Sequence, residues 1–207
     1  MFTYQRRWFA VVLLPIALWA QEPKSITLPK PRTEGGKPLM QALKERKSTR
    51  GFSRQQLDAQ TLSDLLWAGC GVNRPDGRRT APSAMNSREI DVYVLLASGA
   101  YLYEADAHRL SAVGLLDSSA ALDGALKLVF VENQSRVRYA HAKPEEKIGF
   151  SSFAAGAISQ NVYLYCASEG LATVLRASVD KDAMSKLLRL RADQRVLYVQ
   201  SAGYPAK

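Results

Sequence analysis

Arg46-Lys47-Ser48-Thr49-Arg50 puts three cations and two hydroxyls into five consecutive residues. Where a helix gives way to a loop, such a group can hold a phosphate by charge-assisted hydrogen bonds, arginine supplying a planar fork. It can equally be the solvated end of a helix, where positive charge suits the macrodipole. A second stretch is Ala81-Pro82-Ser83-Ala84-Met85-Asn86. A Pro-Ser-small loop ahead of a strand offers backbone amides and a hydroxyl to a ligand edge, or is an ordinary turn. The third group is the amide pair Gln160-Asn161 together with the ending Glu169-Gly170-Leu171. Two amides in an apolar helix must be hydrogen-bonded, within the core or to a ligand. A glycine at a helix end lets a planar ligand come close to the backbone.

The element that positions the third group is the stretch Phe150 to Leu171, apolar or small nearly all round, with Glu169 as its only charge. That pattern predicts a buried central helix, and its serines and amides make it too polar for lipid. Ahead of it, Pro144 to Gly149 reads as a lead-in. A helix is expected from Pro38 to about Lys47, and another from about Asp58 to Gly69 or Gly71 through Leu62, Leu65 and Leu66. Residues 73–89 read as a polar loop. Ile90 to Ala97, Ala100 to Tyr103, Lys127 to Glu132, Thr173 to Ser178 and Arg195 to Ser201 read as strands, the first two as a hairpin. Lys181 to Leu190 reads as an amphipathic helix. Helices interleaved with strands and a hairpin give an α+β class with a mixed or antiparallel sheet flanked by helices.

The chain has 207 residues, enough for one domain with a sizeable core. Its net charge of +9 admits acidic partners. The basic residues are spread out, and no arginine-rich helix, zinc spacing or RNP-like segment is present, so a solvated basic surface is expected rather than a nucleic-acid partner. Residues 1–20 stand apart: Arg6 and Arg7 precede the apolar run Trp8 to Ala20, which breaks at Gln21. This is the pattern of a secretory signal peptide, with an uncleaved N-terminal anchor as the alternative. Arg6-Arg7-Trp8-Phe9 also resembles a twin-arginine export signal, so a periplasmic or secreted protein is expected, with no membrane span in the mature chain. Residues 21–37 are rich in proline and glycine and read as an extended lead-in that does not pack, followed by one domain over 38–207. Cys70 and Cys166 read as buried free thiols. With His108 and His141 far apart, no metal-ligand spacing appears.

Taken in order, these segments resemble the flavin-dependent nitroreductase superfamily and, within it, the SagB-like dehydrogenases, from about Leu39 to Pro205. RKSTR followed by Phe52 looks like the family's opening Arg-x-Ser-x-Arg-x-Phe, and LLWAGCGVNR like its Leu-Leu-Trp-Ala segment. RTAPSA (79 to 84) with IDVYVL looks like its Pro-Ser loop and strand. GAYLYEADAHRL, ISQNVYLYCASEGL and SAGYP look like the SagB-like hairpin, the central helix and the closing strand.

The resemblance implies a nitroreductase-like fold and a homodimer with FMN in a cleft between subunits. Arg46, Ser48 and Arg50, with Lys47, would hold the ribityl phosphate. Pro82, Ser83, Ala84 and Asn86 would line the isoalloxazine, with Gln160 and Leu171 as further contacts. Glu169 and Gly170 would present a backbone amide towards flavin N5. The chemistry would be flavin-borne, requiring no catalytic side chain. Two departures stand out. Lys207 either substitutes for a basic residue that many relatives place beyond the last strand, or the phosphate site is weaker. Met85 to Glu89 differs from the loops common in relatives. The expected function is an exported FMN-dependent oxidoreductase with NAD(P)H or another reductant and a small-molecule or peptide substrate. The alternatives are a SagB-like azoline dehydrogenase and a non-catalytic flavin-binding protein.

Overall fold

A computed structural model describes residues 23–116, 122–139 and 141–207. Residues 1–20, read above as an export signal, lie outside them.

Seven strands form one antiparallel sheet: β1 (Ile26–Thr27), β2 (Ile90–Leu96), β3 (Gly99–Glu104), β4 (Arg109–Gly114), β5 (Leu126–Asn133), β6 (Ala172–Arg176) and β7 (Gln194–Gly203). Their spatial order is β1-β4-β3-β2-β5-β7-β6. Among the described residues there are four α-helices: α1 (Leu39–Glu45), α2 (Ala59–Cys70), α3 (Pro144–Glu169) and α4 (Lys181–Leu187). Of the strand runs predicted from sequence, β3, β2, β5 and β7 lie inside the sheet and β6 at its edge. Their near-continuous apolar character has a simple cause, because β2 and β5 are covered on both faces. Val92, Val94, Leu128 and Phe130 point into the main core with α2 and α3. Tyr93, Leu95, Val129 and Val131 point the other way, towards Met184 and Leu188 at the α4 side. A one-residue slip would exchange these two sets, so the register is firmly specified.

Four expectations change. Residues 23–37 are extended, yet they pack. Ile26 and Thr27 pair with Leu110 and Arg109, Leu28 is buried, and Arg32 Nε donates to Asp64 at 2.7 Å. Strand β4, absent from the sequence reading, is the partner that makes this possible. The central helix begins at Pro144 rather than Phe150. Its first turn carries Glu145 and Glu146, and the Glu146 carboxylate accepts the Lys143 N–H at 2.7 Å. The last helix stops at Leu187, three residues early, because Arg189 turns to a φ of 51°.

Two caps match their sequence signals. Asp58 accepts the Thr61 N–H at 2.8 Å and starts α2. Gly170, at φ 71°, ends α3 in the left-handed conformation that glycine adopts at no steric cost. The helices that flank the sheet are too polar or too short to cross a bilayer: among the described residues no helix is long and apolar enough.

Candidate active site

The segment after α1 is fastened on three sides. Thr49 N–H donates to Thr173 O of β6 at 2.9 Å. Gly51 O accepts from Ala206 N–H at 3.1 Å, and Ser53 N–H donates to Tyr204 O at 2.9 Å, so residues 51–53 are zipped to the chain's last turn. Ser48 Oγ lies 2.9 Å from the Tyr163 hydroxyl, which also accepts the Leu175 N–H at 2.9 Å. Arg46 sits over the Tyr163 ring, 5.4 Å from its centroid, in a cation–π contact. Arg46, Lys47 and Arg50 make no ion pair among the described residues, although the backbone that carries them is well fixed.

Beside this segment lies an open cleft of about 670 Å³, lined by Lys47, Thr49, Tyr163, Gly170, Leu171 and Ala206, among others. Lys37 and Lys44 add charge at its rim. Lys37 is itself tied down, its N–H to Ser168 Oγ at 2.8 Å and its Nζ to Glu45 at 2.7 Å. Phosphate-sized anions suit such a place: Lys44 and Lys47 line it without an ion pair among the described residues, and both are exposed to water. A Cβ placed at Gly170 would meet nothing within 4 Å, so the backbone here is open to a flat ligand.

The expected free amide at this turn is revised. The N–H groups of Gly170 and Leu171 both turn back to Cys166 O, the latter at 2.8 Å, as helix caps do. Glu169 is exposed and accepts from Ser168 Oγ at 3.0 Å, so its side chain is not in the cleft.

The amide pair also separates. Neighbours on a helix point about 100° apart. Asn161 donates to Gly69 O of α2 at 3.3 Å and is satisfied in the core. Gln160 is exposed, on the α3 face that also carries Phe153 and Gly156.

Pro82, Ser83, Ala84 and Asn86 form a second group, away from the first cleft. Pro82, Ser83 and Asn86 share a small pocket with Arg79, Arg88, Ala154 and Ile158. Ser83 Oγ accepts the Arg88 N–H at 3.0 Å, which braces the loop. Met85, Asn86 and Arg88 all have φ near 50°, a left-handed conformation costly for residues other than glycine and asparagine. Strain concentrated in one loop is a mark of functional segments. The two groups predicted from sequence are therefore each assembled, but one chain does not bring them into a common cleft.

Both cysteines are free and buried, as read from the sequence. Burial pushes the Cys70 thiol up to about 11 and the Cys166 thiol up to about 12, so neither is poised as a nucleophile. Sequence reasoning missed Tyr163, Lys37 and the arginines at 79 and 88. Tyr163 had a signal, a hydroxyl within a buried apolar helix that has to find partners.

The family model described as Nitroreductase family matches residues 43–204. A solved structure of a protein assigned as a nitroreductase in Ralstonia eutropha JMP134 is 40% identical, with a TM-score of 0.83 over 89% of this chain and 90% of that one. A protein of Methanocaldococcus jannaschii, also assigned as a nitroreductase, is 28% identical over 181 residues, covering 74% of this chain and 85% of the relative. The E. coli microcin synthetase complex with a truncated pro-microcin shares the fold, with a TM-score of 0.69 at 18% identity over 97% of this chain and 85% of that one.

Proposed function

The chain belongs to the nitroreductase family of oxidoreductases, and we propose that it is an exported, homodimeric enzyme using FMN. Members of the family typically bind that flavin. The observation that carries the reading is the run of cations without an ion pair among the described residues, Arg46, Lys47 and Arg50, of which Lys47 lines the open cleft at Gly170 and Arg46 lies over Tyr163 in its wall. These residues with Ser48 suit the ribityl phosphate, and the bare backbone at Gly170 suits the edge of a flat ring system. Bound FMN supplies hydride transfer, and the protein supplies anchorage and orientation.

The dimer is supported by exposed apolar surface. Leu39 and Met40 of α1 are 63% and 75% exposed, and Phe153 of α3 is 63% exposed. Large apolar side chains left exposed on two helices call for a partner, and a second copy is the one the family resemblance leads us to choose. In that assembly the Pro82–Asn86 loop of one copy completes the cleft of the other.

Export rests on the sequence of residues 1–20. NAD(P)H is then reached only inside the cell, so an envelope reductant, or a substrate that is itself the hydride donor, is the alternative. Azoline dehydrogenation in a modified peptide, the SagB-like reading, is the second case. A flavin-binding protein without turnover is the third.

Expression without residues 1–20 tests the proposal. The expected product is yellow, takes up FMN on titration and is bleached by NADPH under anaerobic conditions. Protein that is colourless and takes up no FMN contradicts it. Uptake without bleaching by NADPH moves the reading to the alternative donors.

A further inference from the structure

A second cationic region lies around the Pro82–Asn86 loop. A cleft of about 670 Å³ is lined by Arg79, Arg88, Arg136 and Arg138, with Asp91, Glu104 and Asp106. Two of its acids are already matched. Asp91 pairs with Arg136 at 2.7 Å and Glu104 with Arg109 at 2.7 Å. The remaining acid, Asp106, faces Arg79 at 4.0 Å and Arg88 at 3.7 Å, and its own side chain is 66% exposed. Neither contact is a hydrogen bond. Among the described residues, the guanidinium groups of Arg79, Arg88 and Arg138 make none at all. Arg79 is the extreme case: its side chain is only 16% exposed, and its Nε is buried without a partner.

A guanidinium withdrawn from water and left unbonded is costly. Its planar fork suits an oxyanion. Here two such forks, Arg79 and Arg88, face one loosely held carboxylate, and Arg138 lines the same cleft from an exposed position. The three leave an excess of two positive charges over Asp106, which matches a phosphate monoester rather than a monocarboxylate. FMN carries a single phosphate, and the cations at 46–50 already account for it in the reading above. The arginine cleft adjoins the loop assigned to the ring system, since Arg79, Arg88 and Ile90 line both this cleft and the Ser83 pocket.

We infer that the Arg79–Arg88–Arg138 cleft is a phosphate-binding subsite, and that the enzyme's substrate is a small phosphate monoester held there by its anionic end. Its role as a substrate subsite rests on the flavin reading; its anion binding does not.

The probe is inorganic orthophosphate, titrated calorimetrically into the purified protein with and without FMN, with acetate as the monocarboxylate control. Saturable binding is expected, weakened roughly tenfold or more by Arg79→Gln and by Arg88→Gln. Asp106→Asn, at an exposed position that leaves the core alone, is expected to tighten it. Acetate is expected to bind more weakly by about tenfold. The inference is overturned if orthophosphate does not saturate, if the variants leave its affinity unchanged, or if acetate binds equally well. It is also overturned if Arg79→Gln weakens FMN as much as Arg46→Ala does, since the cleft would then serve the cofactor. Protein that takes up no FMN but binds orthophosphate through Arg79 would remove the flavin reading and keep the anion subsite.

Discussion

Around Arg46 the cations stand at a rim, on backbone fastened to β6 and to the last turn of the chain, with their charged ends in reach of water. Around Arg79 two of them, Arg79 and Arg88, are drawn partly inwards, against a single exposed carboxylate. Both regions hold unpaired positive charge, yet the physics differs. Exposed cations cost little to keep unpaired, and salt screens them readily. Withdrawn guanidinium groups cost more when empty and gain more when an anion arrives, so they favour a particular charge and shape. The first arrangement suits a cofactor that stays bound through many contacts. The second suits discrimination among ligands that come and go.

The largest effect that would sharpen this contrast comes from the proposed dimer. Phe153→Glu places a charge on the exposed α3 face and should convert the dimer to monomers in sedimentation velocity. FMN affinity should fall by about tenfold or more with it, because the loop of the second copy is lost. Orthophosphate binding at the arginine cleft should hold. A variant that stays dimeric would place the interface elsewhere.

A smaller effect is expected from Tyr163→Phe. The hydroxyl is shared by Ser48 and the Leu175 N–H, so its removal should cost about 1–2 kcal/mol in thermal unfolding. FMN should weaken by roughly threefold as Ser48 loses its brace, with the arginine cleft again unaffected. Equal weakening at both regions would mean that Tyr163 acts on the whole fold and not on the rim.

Much of this architecture is legible in the sequence where periodicity is strong. The runs 90–97 and 127–132 announce strands because both faces are buried, and Asp58 and Gly170 mark helix ends because their chemistry allows little else. The missed pieces have physical causes. Strand β4 mixes arginine, serine and glycine with buried Leu110, since much of it faces solvent near the sheet edge. The start of α3 is charged where it projects outward, so its Pro-Glu-Glu signature was hidden among residues read as a lead-in. Site residues divide the same way. Arg46 to Arg50 cluster in sequence and in space. Arg79, Arg88 and Arg138 meet only through the fold, and the partial burial that makes Arg79 and Arg88 notable is invisible in a loop of charged residues. Gln160 and Asn161 are adjacent in sequence and part company on the helix.

The most direct measurement compares FMN dissociation constants for Arg46→Ala and Arg79→Gln, side by side with the parent protein. The account predicts weakening of roughly tenfold or more for Arg46→Ala and little change for Arg79→Gln. Unchanged affinity in Arg46→Ala, or equal losses in both variants, would contradict the division of labour between the two regions.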